Sequence, residues 1–429
     1  VFSIVDKNVS HYQVDNIFDE KEYSSKKYTV LREKARAFVK IQDGCTKFCS
    51  YCKIPYARGL SRSRDVESVL EEITYLGKQG YKEVVLTGIN LSEYGLDLEP
   101  KTDFDTVLEK ILEIDNVERV RVSSAYPDTI TDKFLHMLKN NPKLMPHLHV
   151  SIQTMDDKIL HLMRREYEAK FVVDILQKVQ KEVPEISLTA DVIVGFPQEG
   201  EENFGNTMKN LELIGFSDLH VFPYSDREKT TAAKLEGKVE SQVKKMRVKM
   251  VEELNKRKYA EFRENMVGSS QKIYIEEITE DIAYGYTENY IKVFMKLKNE
   301  NENNLDVKVS DMVDVVITGF DGTLLEGNII KKYTKSLQCS RSSDIESYYR
   351  IANSKAEVIE FKITNDNARV IGTKLKDLAI NDNMLIAFII RNNKQIFPNG
   401  EDEIIVNDNV VVVSYGNKLE HIDDILARR

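Results

Sequence analysis

Three of the chain's four cysteines, Cys45, Cys49 and Cys52, fall within the stretch "GCTKFCSYCKIPYARG" (44–59). Thiolates are soft ligands that suit zinc or iron–sulfur centres. The C-x3-C-x2-C spacing does not suit a disulfide framework, and an odd count cannot close on itself. A closed structural zinc site needs four ligands. No histidine lies near the loop, and the fourth cysteine, Cys339, sits in a distant polar stretch. Three readings follow: a four-iron–four-sulfur cluster with one iron left open to a small molecule, a zinc ion completed by a distant ligand, or cysteines with no shared role. The spacing, placed directly after a strand, favours the first.

The elements that must position this loop are legible by periodicity. "RAFVKI" (36–41) alternates as a strand and runs into the cysteines. "EVVLTG" (83–88), "ERVRVSS" (118–124), "HLHVSIQ" (147–153), "SLTADVIVGF" (187–196) and "DLHVFPY" (218–224) read as five more strands. Helical patterns at 66–76, 104–114, 132–139, 156–182 and 201–214 separate them. Strands alternating with helices imply parallel βα units. No G-x-G-x-x-G follows the first strand, so a barrel or partial barrel is expected instead of a doubly wound sheet. In such folds chemistry sits in the loops after the strands. Those loops hold the cysteines, "TGIN" (87–90), "SSAYP" (123–127), "SIQ" (151–153), "VGFP" (194–197) and "PYS" (223–225).

At 429 residues the chain is too long for one ordinary domain. It has no apolar run of about 18 residues, so no membrane span is expected, and no signal peptide is recognised. So few cysteines argue for a reducing, cytoplasmic setting. The net charge of −9 does not advertise nucleic-acid binding, which would need a local basic face. The charged helix at 238–264 offers one, because residues 244–263 hold eight Lys/Arg against three Glu. Short alternating strands over 268–331 predict a small β-barrel. A low-complexity turn, "KNENENN" (298–304), lies within that stretch, and "KSLQCSRSSDIES" (335–347) breaks the pattern. Residues 348–429 then read as a strand, a helix at "LKDL", a β-meander and a short terminal helix. The expected divisions are a linker over 1–34, a core over 35–265, the small barrel over 266–331, a linker over 332–347 and a last domain over 348–429.

C-x3-C-x2-C followed by "IPYARGLSRSR" resembles the radical S-adenosylmethionine (radical SAM) methylthiotransferases, and the resemblance covers residues 36–331. "LTGINLSEYGLD" (86–97) is most similar to the branch that modifies threonylcarbamoyladenosine in tRNA; the isopentenyladenosine branch is the alternative. The resemblance implies an α/β fold class: a partial (β/α) radical SAM barrel, a small all-β TRAM barrel, and an α+β C-terminal domain. It implies one 4Fe-4S cluster on Cys45, Cys49 and Cys52, whose open iron binds SAM. Thr87, Gly88, Asn90, Ser151, Gln153, Asp191, Val194 and Gly195 match the family's SAM-contacting positions. Phe48 and Tyr51 would shield the cluster. Arg58, Arg62, Arg64, Lys245 and Arg247 would meet tRNA phosphate, and Tyr286 and Tyr290, within "GYTENYIKV" (285–293), would stack on bases. An electron donor such as flavodoxin or ferredoxin is the other implied partner.

Three places depart from the family's habit: Met155 and Gln198 stand where glycines are usual, and Lys229 and Thr231 replace a Gly and a Pro. A second 4Fe-4S cluster is expected only with an N-terminal domain, and residues 1–34 hold no cysteine. Residues 348–429 resemble the C-terminal domain of TrkA-type potassium-uptake regulators, implying a nucleotide-like ligand or self-association. A rival reading is a non-catalytic RNA- or ligand-binding protein on a decayed radical SAM scaffold.

Overall fold

The computed structural model describes residues 16–20, 23, 36–297, 307–333, 345–351, 356–364, 368–381, 383–391, 394–415, 419 and 422–427. It divides into two compact units, residues 1–24 with 35–333 and residues 25–34 with 334–429. Most of the expected linker 1–34, the turn at 298–304 and most of the break at 335–347 lie outside the described residues.

All six expected core strands form. β1 (Arg36–Lys40), β2 (Glu83–Thr87) and β3 (Arg119–Val122) make one parallel sheet. β4 (His147–Gln153), β5 (Ser187–Val194) and β6 (Asp218–Pro223) make a second, joined by the short strand Ser124–Ala125. Only the isolated bridge Val120–Leu144 links β3 towards the second sheet among the described residues. The wall is therefore two sheets instead of one continuous ribbon.

Between the strands lie α1 (Val66–Lys78), α2 (Phe104–Leu112), α3 (Asp132–Asn140), α4 (Ala169–Glu182) and α5 (Glu201–Glu212). Asp65, Asp103 and Thr131 start three of them by accepting from the N–H groups of Ser68, Thr106 and Phe134. Alternation then sorts each strand. Leu148, Val150 and Ile152 on β4 and Leu188, Ala190 and Val192 on β5 are fully buried, whereas the intervening residues face the barrel interior and are less so. Phe38 on β1 is 53% exposed for the same reason. The single helix expected over 156–182 is two, Asp157–Leu162 and α4. Arg164, at φ 62°, takes the left-handed turn between them.

α6 (Ser241–Glu264) packs along β6, and several of its cations turn inward. Lys258 Nζ donates to the carbonyls of Glu212 and Ile214, satisfying the end of α5. Arg263 donates to the Ser217 carbonyl.

A closed barrel follows, made by β7 (Ser270–Thr279), β8 (Ile282–Tyr286), β9 (Lys292–Lys296), β10 (Met312–Phe320) and β11 (Leu325–Tyr333). Ile273, Ile275, Val293, Val313 and Val315 fill it. Gly327 sits where a Cβ would come within 2.3 Å of Val315. The C-terminal unit holds an antiparallel sheet of β12 (Ile345–Ile351), β13 (Ala356–Lys362), β14 (Met384–Arg391), β15 (Lys394–Ile396) and β16 (Asn409–Tyr415). The helix expected at "LKDL" is one 3-10 turn, Leu375–Asp377.

Candidate active site

The cysteine loop closes on itself. Gln42–Asp43 pairs antiparallel with Arg62–Ser63, and Cys45 N–H donates to the Gly59 carbonyl at 3.2 Å. Gly44, at φ 72°, has no room for a side chain, since a Cβ there would stand 1.9 Å from the Leu60 carbonyl oxygen. Inside this frame Cys45 and Cys49 are buried and Cys52 is half-buried. Burial, helped by Glu93, Cys49 and Cys52 and opposed by a backbone hydrogen bond from Lys47, pushes the Cys45 thiol up to about 12. Burial raises Cys52 as well. Buried thiols that resist ionisation, as Cys45 and Cys52 do, need a strong cationic centre to become thiolates, and metal coordination supplies one.

Later strands cover the loop. Tyr126 Oη lies 3.5 Å from Cys49 Sγ. The Arg165 guanidinium lies 4.4 Å from the Tyr126 ring centre and donates to Tyr51 Oη at 3.0 Å. Its Nε and Nη1 are buried with no hydrogen-bond partner among the described residues. Tyr51 also packs on Phe196, while Phe48 stacks with Phe18 and meets Tyr56 edge-on. Buried Gln42 ties two loops together: its amide donates to the Gly44 carbonyl, and its oxygen accepts from the N–H groups of Ile89 and Asn90. Thr87 and Gly88 are thereby set beside the cysteine loop. Asn90 Oδ1 accepts from Ser92, but its Nδ2 is buried and unpartnered among the described residues.

The other predicted SAM positions are spread along β4 and β5. Gln153 ends β4 at φ 67°, and the Ser151 carbonyl accepts from Tyr167 Oη. Val194 is buried, and Gly195, at φ 73°, donates its N–H to Glu199. Asp191 lies mid-strand, where His149 and His220 contact its carboxylate. The departures from family habit also have positions. Met155 is wholly buried, and Gln198 and Lys229 adopt φ 68° and 66°, the left-handed conformation that glycine takes without strain.

The basic face needs correction. Arg62, Arg64 and Arg247 are buried. Arg62 donates to the Arg58 carbonyl, Arg64 pairs with Glu72, and Arg247 pairs with Glu199 at 2.8 Å. None of these three guanidinium groups is offered to a phosphate. Arg58 and Lys245 are exposed, as phosphate contacts require. Tyr286 and Tyr290 stack on each other at 4.7 Å, Arg36 lies over both, and His147 packs on Tyr290. They join the first barrel to the closed one instead of presenting free faces to bases. Sequence reasoning passed over Arg165, Tyr126 and Gln42, whose meaning depends on neighbours distant in the chain. His149 and His220 had a local signal: each is a polar residue on the inward face of an alternating strand.

A profile of the radical SAM superfamily matches residues 39–211, and one of the TrkA-C domain matches residues 358–427. The threonylcarbamoyladenosine tRNA methylthiotransferase MtaB of Bacillus subtilis (strain 168) is 40% identical over 288 residues, 66% of this chain and 64% of the relative. The Aquifex aeolicus (strain VF5) protein of the same name is 38% identical over 65% of this chain and 67% of its own length. A tRNA-2-methylthio-N(6)-dimethylallyladenosine synthase of Endomicrobium trichonymphae is 32% identical over 71% of this chain and 74% of its own length. The chain belongs to the radical SAM methylthiotransferase family. It spans about two thirds of the length of these curated relatives. The chain thus carries a radical SAM region followed in sequence by a TrkA-C region. No helix among the described residues is long and apolar enough to cross a membrane.

Proposed function

We propose that this chain acts in the radical SAM-dependent methylthiolation of tRNA, with threonylcarbamoyladenosine beside the anticodon as the substrate. The observation that carries the reading is the convergence of three thiols, two of them buried, beneath a buried arginine with open N–H groups. These residues fit a 4Fe-4S cluster held by Cys45, Cys49 and Cys52. When bound, that cluster supplies one-electron reductive cleavage of SAM, with the electron delivered by a flavodoxin- or ferredoxin-like donor.

The chain's own residues bind, orient and exclude water. Gln42 sets the "TGIN" loop against the cysteines. Tyr126 and the aromatic pair Tyr51–Phe196 keep water from the thiols. Arg165 and Asn90 hold N–H groups ready for an anionic or carbonyl oxygen of the ligand. Thr87, Gly88, Ser151, Gln153, Val194 and Gly195 complete the SAM pocket in this reading. Arg58, Lys245 and the closed barrel, read as a TRAM module, meet tRNA. The second cluster belongs to a further cysteine-bearing domain, and the TrkA-C domain takes a nucleotide-like ligand. The setting is the cytoplasm.

Reconstituted anaerobically with iron and sulfide, the chain should form deoxyadenosine from SAM and a strong reductant, and Cys49→Ala should not. An iron-loaded chain that forms none would leave the non-catalytic reading in place. Joined to the N-terminal cluster domain, it should place methylthio groups on threonylcarbamoyladenosine, as read by nucleoside mass spectrometry of tRNA. The match to dimethylallyladenosine synthases over 312 residues keeps the isopentenyl base as the second reading, and the same spectrum separates the two.

A further inference from the structure

Below the mouth, β4, β5 and β6 present His149, Asp191 and His220 side by side on the inward face of the barrel. His149 Nε2 lies 3.2 Å from Asp191 Oδ2, and His220 Nδ1 lies 3.4 Å from Asp191 Oδ1. One ligand atom from each residue can be chosen so that all three lie within 4.8 Å of one another. A zinc ion with tetrahedral bonds of about 2.0–2.1 Å holds its ligand atoms about 3.3 Å apart. Each imidazole therefore already stands at about that spacing from one carboxylate oxygen, His149 from Oδ2 and His220 from Oδ1.

We propose that His149 Nε2, an Asp191 carboxylate oxygen and His220 Nδ1 bind one divalent transition ion of the zinc class. Its donors are nitrogen and oxygen, where the cysteine loop offers sulfur, so the two centres select different metals. The outer nitrogen supports the assignment. His149 Nδ1 lies 2.9 Å from Thr189 Oγ1, so the hydroxyl can accept a hydrogen bond from Nδ1–H, which holds the proton there and leaves the Nε2 lone pair free for the ion. All three ligands stand on strands of one sheet, which holds their spacing. His149 and His220 also line a cavity of about 330 Å³, shared with Arg121, Ser123 and Thr189. The remaining coordination positions thus have room for water or for an oxygen ligand. Without an ion, Asp191 would simply accept hydrogen bonds from two imidazoles, and the experiment separates these states.

The full chain, its thiols already occupied by iron, is titrated with zinc against a chromogenic chelator and then desalted for elemental analysis. One zinc per chain is expected beside the iron. Asp191→Asn and His220→Ala should each lose the zinc while keeping the iron content. Thr189→Val retains all three ligands and should weaken zinc binding roughly tenfold. Zinc retained by both ligand variants, or no zinc held by the parent chain, would overturn the site. Should a ligand variant fail to fold, the parent stoichiometry and the Thr189→Val shift still decide. No RNA or SAM enters the measurement, so its outcome is independent of the reading as a tRNA-modifying enzyme.

Discussion

The two ends of the first barrel treat buried charge in opposite ways. At the end next to the closed barrel, Glu83 is nearly wholly buried among Arg36, Arg119 and Arg121, with Arg121 Nε at 2.7 Å. Those arginines reach on to the closed barrel. Arg121 donates to the carbonyls of Thr287 and Glu288, Arg119 to that of Lys272, and Arg36 pairs with Glu276. At the mouth, Arg165 is also buried, yet two of its nitrogens have no hydrogen-bond partner among the described residues. A buried donor left open costs about 1–3 kcal/mol. One end thus uses its cations to join two barrels, and the other holds one in readiness for a ligand.

Removing a thiol should have the largest effect. Cys49→Ala should abolish iron binding, leaving no broad iron–sulfur absorption after reconstitution, while the parent chain holds about four irons. Stoichiometric zinc without iron uptake by the parent would break the contrast at the mouth.

Next comes Glu83→Gln, which leaves three arginines without their shared carboxylate. It should destabilise the unit by about 3–5 kcal/mol in chemical denaturation. Burial pushes the Glu83 carboxyl up, but Arg121, Arg36 and Arg119 outweigh that and hold it below the usual range. A depressed carboxyl stabilises the fold above its unfolded value of about 4.3, and the contribution fades as pH falls through the folded value. The variant should therefore lose part of the parent's acid sensitivity below about pH 4. An unchanged acid limb would show that the cluster does not act as one network.

Arg165→Met should do the reverse. It should leave the denaturation midpoint close to the parent's, because no ion pair to a carboxylate is broken. SAM affinity of the iron-loaded chain should fall roughly tenfold or more by calorimetry, the scale of a lost charged hydrogen bond. A large stability loss with unchanged SAM affinity would make Arg165 another structural cation.

Lys245→Ala should have the smallest effect. Exposed on α6, it should change stability by less than about 0.5 kcal/mol. If it meets phosphate, the salt dependence of tRNA binding should lose about one unit of slope. An identical slope would remove it from the RNA face.

What sequence could and could not show follows from this same contrast. The cysteine loop was legible because its ligands, glycines and closing strands lie within one short stretch. The six strands and their carboxyl-end loops were legible because a period of two, broken by helical runs, is a local signal. Arg247 was misread because a run of lysines and arginines records charge and not direction, and the run on α6 includes three inward cations, Arg247, Lys258 and Arg263. Tyr286 and Tyr290 were misread for a related reason. An aromatic pair on a small barrel looks the same in sequence whether it awaits a base or already lies beneath Arg36. Arg164 and Arg165 fell inside a helical pattern, and the left-handed turn that aims Arg165 has no glycine to announce it.

The closed cysteine loop also has a consequence for the order of events during synthesis. Its frame is complete once residues 42–63 have left the ribosome, since Gln42–Asp43 pairs with Arg62–Ser63 and Cys45 with Gly59. Its cover, Tyr126 and Arg165, is made later. At ordinary elongation speeds the hundred or so residues between Ser63 and Arg165 take on the order of 5–20 seconds to make. During that interval the three thiols stand formed and uncovered, open both to iron delivery and to oxidants. Nascent chains stalled at increasing lengths should show Cys49 alkylated readily before residue 165 emerges and protected afterwards. Equal protection at both lengths would place the closing of the loop after the barrel instead of before it.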